Sequence, residues 1–107
     1  MIENVRKFSR KNDKVVEQII DQDVVMINHM ILPKGEALPE HKANSNVFMT
    51  TVKGKVTLKL NDQNPQVYDS GHILEIPYNT LMNVSNQHDE LLELFVVKAP
   101  GPKAYGR

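Results

Sequence analysis

Short apolar runs separated by turn-forming residues make up most of the chain, and this succession limits the folds open to it. Within 55–60, Val56, Leu58 and Leu60 alternate with polar residues, which is the period-two pattern of a strand with one buried face. Clusters of Gly, Pro, Asn and Asp separate the runs, as turns require. Because no long helical pattern interrupts them, the runs predict an antiparallel sandwich or barrel. The predicted strands lie at 24–32, 46–52, 55–60, 72–77, 81–86 and 91–99.

The 107 residues predict a single domain with two short terminal segments. We expect an N-terminal arm at 1–13, a barrel domain at 14–99 and a C-terminal tail at 100–107. The segment Lys14–Ile20 has apolar residues at spacings that suit a helix or a strand, and its β-branched residues favour a strand. The last nine residues contain two prolines and two glycines, so they are predicted to be extended without regular structure.

Composition excludes several classes of function. The 13 basic residues balance the 13 acidic ones, so we expect no nucleic-acid partner, and the basic stretch Arg6–Lys14 is interpreted as a solvated arm. The chain has no cysteine, which excludes disulfides, thiolate catalysis and cysteine-based zinc sites. Its first residues lack the apolar run of a signal peptide, and no apolar run is long enough to span a bilayer. We therefore expect a cytoplasmic protein without a membrane partner.

Two stretches, 35–54 and 71–86, contain Gly, His, Pro and Asn at fixed intervals. In order and spacing these positions resemble the two motifs of the cupin family, specifically its small single-domain, RmlC-like members. The resemblance covers roughly 24–99 and implies an all-β, single-domain fold, a cupin-type antiparallel β-barrel or double-stranded jelly roll. Asn79 stands where the second motif has a further glycine, and both residues tolerate the positive φ that a turn there demands. The positions that fit the motifs are Gly35, His41, Gly54, Gly71, Pro77 and Asn86.

In the cupin family, three histidines and one glutamate from these motifs hold a metal ion. At the corresponding positions this chain keeps His41 alone, and Ala43, Val47 and Met82 replace the other ligands. Alanine and valine cannot bind a metal, and a methionine thioether suits little beyond Cu(I). The resemblance therefore implies a degenerate metal site, and we expect neither a metal nor another cofactor.

The resemblance also implies a largely apolar ligand pocket at these positions. Four methionines in the predicted strands, Met26, Met30, Met49 and Met82, are expected to fill the core, and methionines at a barrel mouth would form an adaptable lining. The predicted pocket residues are His41, Ala43, Val47, Met49, Met82 and Phe95.

The sequence leaves open whether other residues rebuild a metal site. His29 precedes the first motif and could face inward beside His41, with Glu36 and Glu40 nearby in the chain. A shift of one residue in register would turn its side chain to the opposite face, so the sequence does not fix where it points.

Three functions remain open. The first is a metal-free module that binds an unknown small molecule around His41. The second is an enzyme, either a metal-free acid/base isomerase or epimerase or a degenerate metalloenzyme, with His41 as the catalytic residue. The third is an assembly role that uses the sheet surface. The resemblance further implies a homodimer that pairs the N-terminal strands, which would cover an otherwise exposed edge.

Overall fold

Nine strands form two antiparallel sheets in residues 1–106, the part of the chain that the computed structural model describes. The first sheet has five strands in the order β1-β2-β9-β4-β7, and the second has four in the order β3-β8-β5-β6. This arrangement confirms the predicted all-β fold. The strands are β1 Val15–Asp21, β2 Met26–Leu32, β3 His41–Lys42, β4 Val47–Lys53, β5 Lys55–Leu60, β6 Gln66–Asp69, β7 Ile73–Ile76, β8 Leu81–Ser85 and β9 Leu92–Lys98.

The core lies between the two sheets and follows from strand alternation. In β9, Leu92, Leu94 and Val96 are buried in the core, and the residues between them face the other side of the five-stranded sheet. In β5, Val56 and Leu58 enter the same core from the four-stranded sheet. The methionines predicted to fill the interior are all buried, namely Met26, Met30, Met49 and Met82.

The predicted turn at Asn79 is confirmed. Asn79 has a φ of 74°, in the left-handed region, and its backbone N–H donates to the carbonyl of Ala43 at 2.8 Å. The Ala43 N–H in turn donates to the carbonyl of Thr80, also at 2.8 Å. This reciprocal pairing fixes the segment after His41 against the loop that precedes β8.

The prediction that the C-terminal segment has no regular structure is wrong at Pro102–Tyr105, which form a 3-10 turn. Proline fixes the φ that such a turn needs at its start, and Pro102 is buried. The Gly101 N–H donates to the carbonyl of Asp23 at 2.9 Å, and the Tyr105 ring stacks on Tyr78 at a centroid distance of 5.0 Å. Within residues 1–106, no helix is long and apolar enough to cross a membrane.

Candidate functional site

The interior of the barrel at the motif positions is apolar and almost filled. Ala43, Val47, Met49 and Met82 are each at most 3% exposed, so these four predicted pocket residues lie in one core. A cavity of about 30 Å³ remains between the sheets, with room for one or two water molecules. Its lining residues are Met30, Leu38, His41, Val47, Met49, Met82, Val84, Val96 and Lys98.

His41 lies at the mouth of this cavity. It is the first residue of β3, where it pairs with Met82, and its side chain is exposed. Its Nδ1 lies 2.9 Å from the carbonyl oxygen of Pro39. A carbonyl only accepts, so Nδ1 carries the proton that it donates, and in the neutral ring Nε2 keeps a lone pair for another group.

Lys98 provides the second polar group at the mouth. It is the last residue of β9, and by alternation it lies on the same face of the sheet as Leu94 and Val96. Its Nζ donates to Oδ1 of Asn44 at 2.9 Å. The long aliphatic stem of a lysine can line an apolar cavity while its amine stays near water. The mouth therefore combines an imidazole and an amine above an apolar interior.

The residues at the motif positions do not fit a metal ion of the cupin type. Alanine, valine and a buried methionine offer no oxygen or nitrogen ligand beside His41. In the described part of the chain, no group of three His, Asp or Glu side chains is arranged to hold a metal ion.

Phe95 does not line the barrel interior with the other predicted pocket residues. It alternates with the inward-facing Leu94 and Val96, so its ring lies on the outer face of the five-stranded sheet. The register places it beside His29 on β2, and His29 pairs with Glu17 on β1. His29 therefore faces away from the cavity and does not lie beside His41.

His29 is fully buried between two carboxylates. Its Nδ1 lies 2.8 Å from Oε2 of Glu17, and its Nε2 lies 2.6 Å from Oε2 of Glu93. Ionised carboxylates only accept hydrogen bonds, so this geometry fits an imidazolium that donates from both nitrogens. The rings of Phe8 and Phe95 contact the imidazole at centroid distances of 4.7 and 4.8 Å, within the range of cation–π contacts.

This cluster holds the N-terminal arm, which is not wholly solvated. The N–H of Ser9 donates to Oε2 of Glu17 at 2.8 Å, and its hydroxyl donates to Oε1 at 3.1 Å. Phe8 packs edge-on against Phe95 at 5.0 Å. Sequence reasoning missed the cluster, although Phe8, an aromatic residue within a basic arm, was a signal that the arm packs on the sheet.

The contact between Ser9 and Glu17 should depend on pH. The hydrogen bond from the Ser9 backbone, followed by that from His29, lowers the pKa of Glu17. Because folding lowers the pKa of Glu17, the stability that its carboxylate contributes is complete at pH values above the ordinary pKa of a glutamate. It is lost as the pH falls below about 4 and through the lower folded-state pKa.

We therefore expect the Ser9 amide to lose protection from hydrogen exchange on acidification through that range, before the barrel amides do. Amide exchange followed by NMR measures this, with Glu17→Gln as the control in which the pH dependence of Ser9 disappears. Equal pH dependence in the wild type and in Glu17→Gln would contradict the assignment.

Comparisons with known proteins agree with this fold. No protein-family model matches the chain. The uncharacterized protein MJ0764 of Methanocaldococcus jannaschii is 46% identical over 104 residues, which cover 96% of this chain and 90% of that protein. The crystal structure of MJ0764, an RmlC-like cupin family protein with a double-stranded β-helix fold, superposes with a TM-score of 0.95 at 44% identity. The match covers 100% of this chain and 99% of that one.

The chain belongs to the RmlC-like cupin family. More distant structures share the cupin fold alone. A cupin superfamily protein of Desulfitobacterium hafniense matches with a TM-score of 0.74 at 14% identity, over 87% of this chain and 83% of its own. A Cupin 2 conserved barrel domain protein of Salinispora arenicola matches with a TM-score of 0.79 at 13% identity, over 99% and 96%.

Proposed function

We propose that this cupin binds a small, largely apolar organic molecule in the barrel interior without a metal ion. The observation that carries the proposal is the composition of the interior, where methionine and valine side chains take the positions of metal ligands. His41 and Lys98 at the mouth would contact a polar end of the ligand. A carboxylate would accept hydrogen bonds from the Lys98 amine and from an imidazolium at His41, whose Nδ1–H stays on Pro39 and whose Nε2–H donates to the ligand.

The ligand must be small, and the methionines must move to admit it. The free cavity of about 30 Å³ is far below the several hundred Å³ of most ligand sites. Met30, Met49 and Met82 line it, and the unbranched methionine side chain changes shape more readily than a branched one. A short-chain carboxylate fits these requirements better than a ring system does.

Calorimetric titration with butyrate, isovalerate and hexanoate tests the proposal. We expect His41→Ala to weaken binding about five- to tenfold, since it removes one hydrogen bond to the carboxylate. His72→Ala is the matched control, because His72 is also exposed and its Nδ1 also lies near a backbone carbonyl, that of Asp69 at 3.0 Å. No binding by the wild type, or equal affinity in both variants, would contradict the proposal.

A metal-free acid/base enzyme is the second candidate, and the tautomer of His41 favours it. With Nδ1–H donated to Pro39, the free Nε2 could take a proton from a ligand at the mouth. Deuterium uptake in D₂O at the carbon beside the carbonyl of a short-chain 2-oxo acid, lost in His41→Ala, would support an enzyme. Binding without such uptake would leave the binding module as the function.

We also propose that the protein forms a homodimer through the outer edge of β1. This strand ends its sheet, and Val16 on it is 56% exposed. An unpaired edge strand with an exposed apolar residue is a template for pairing with a second chain. We expect light scattering to give twice the 12.2 kDa chain mass, and Val16→Lys to give a monomer. A wild-type monomer would contradict the proposal.

A further inference from the structure

A groove of about 400 Å³ lies on the outer face of the five-stranded sheet, between the N-terminal arm and the loops that join its strands. Its volume is within the range of about 300–1,000 Å³ that is usual for small-molecule sites. One part of its wall is apolar, formed by Phe8, Ile31 and Leu91. The other is basic, formed by Arg10, Lys11 and Lys53.

The three basic residues have no partner of their own. Within residues 1–106, neither an ion pair nor a side-chain hydrogen bond engages Arg10, Lys11 or Lys53, whereas Lys14 and Lys34 each pair with a carboxylate. Three like charges around one groove repel one another, and a bound anion relieves that repulsion.

The acidic residue in the groove does not cancel this charge. Glu93 lines the groove, but its Oε2 is engaged by His29 at 2.6 Å. With both of its glutamates ionised, the cluster of His29, Glu17 and Glu93 carries at most two negative charges. The three cations outnumber them, so the groove is electropositive.

The arm presents its cations from a fixed position. Phe8 is held by ring contacts with His29 and Phe95, and Ser9 is held by Glu17. Strand β1 begins at Val15, so the segment that carries Arg10 and Lys11 spans two fixed points. A preorganised wall of this kind loses less conformational entropy on binding than a free tail does.

We propose that this groove is a second binding site, for a small organic dianion whose apolar part packs against Phe8, Ile31 and Leu91. The charged end, a phosphate ester or a dicarboxylate, contacts Arg10, Lys11 and Lys53. The site lies on the opposite face of the sheet from the barrel interior, so it does not depend on the function proposed there.

Titration with phenyl phosphate, phthalate, inorganic phosphate and phenol tests this site. Both dianions with a ring should bind, and binding should weaken as salt is added, because exposed charges are screened. Inorganic phosphate, which lacks the apolar part, and phenol, which lacks the charge, should each bind at least about tenfold more weakly. Equal binding of inorganic phosphate and phenyl phosphate would overturn the assignment of the apolar wall.

Two matched variants locate the site. Lys53→Gln should weaken phenyl phosphate binding about tenfold through the loss of a charge-assisted hydrogen bond. Lys7→Gln, which also removes one lysine charge but at a position in the arm outside the groove, should leave phenyl phosphate binding unchanged. Binding should also slow hydrogen exchange of the Ser9 amide and leave the methionine methyl resonances of the barrel unshifted. Equal effects of the two variants, or shifts confined to the barrel methionines, would overturn the proposal.

Discussion

Replacing Gly54 with alanine should lower the free energy of unfolding by about 3 kcal/mol, one of the largest effects of a single substitution in this protein. Gly54 joins β4 to β5 with a φ of +80°, where an L side chain is strained. A Cβ there would lie 2.4 Å from the carbonyl oxygen of Leu91. That oxygen belongs to the backbone, so the loop before β9 would have to move.

Gly71→Ala is the control that separates the two causes. Gly71 has a φ of +93°, but nothing lies within 4 Å of the Cβ position. Gly71→Ala should therefore lower the free energy of unfolding by about 1 kcal/mol, which is the cost of the strained backbone conformation alone. Urea unfolding measures both variants. Equal losses would mean that the close approach to Leu91 contributes nothing.

Replacing His29 with alanine should also cost about 3 kcal/mol of stability, because it leaves two carboxylates facing each other without the group that pairs them. It also removes a ring that packs against both Phe8 and Phe95. His72→Ala, at an exposed histidine, should change stability by less than about 0.5 kcal/mol.

The charge of His29 can be measured directly. Nitrogen NMR should show a proton on each ring nitrogen, since both nitrogens lie near carboxylate oxygens. A neutral ring together with an unchanged stability of His29→Ala would contradict the account of this cluster.

Most of the strands could be predicted because their apolar residues alternate or cluster between turn residues. Two strands could not. β3 has two exposed residues, His41 and Lys42, and β6, Gln66–Asp69, is a largely exposed edge, so neither has an apolar pattern to detect. Each forms only because a longer neighbouring strand, β8 or β5, offers it backbone partners.

The spacing of the motifs could bring the predicted pocket residues close together, but it could not predict to which face of its strand each side chain points. Ala43, Val47, Met49 and Met82 share one core, and their role as a ligand pocket stays a prediction. Phe95 was expected with them, yet alternation along β9 turns it to the outer face. The facing of His29 and its contact with Phe8 depend on register and on residues far apart in the chain, which no local pattern records.

The methyl groups of the barrel methionines can distinguish the proposed uptake of an organic molecule from the binding of a metal ion. The most direct measurement is the carbon–proton spectrum of methyl-labelled methionine, titrated with Mn²⁺ and separately with hexanoate. We expect hexanoate to shift Met30, Met49 and Met82, which line the cavity, and to leave Met1 and Met26 in place. Mn²⁺ should broaden none of the three selectively. Selective broadening of those three by Mn²⁺, with no shift from hexanoate, would contradict the account.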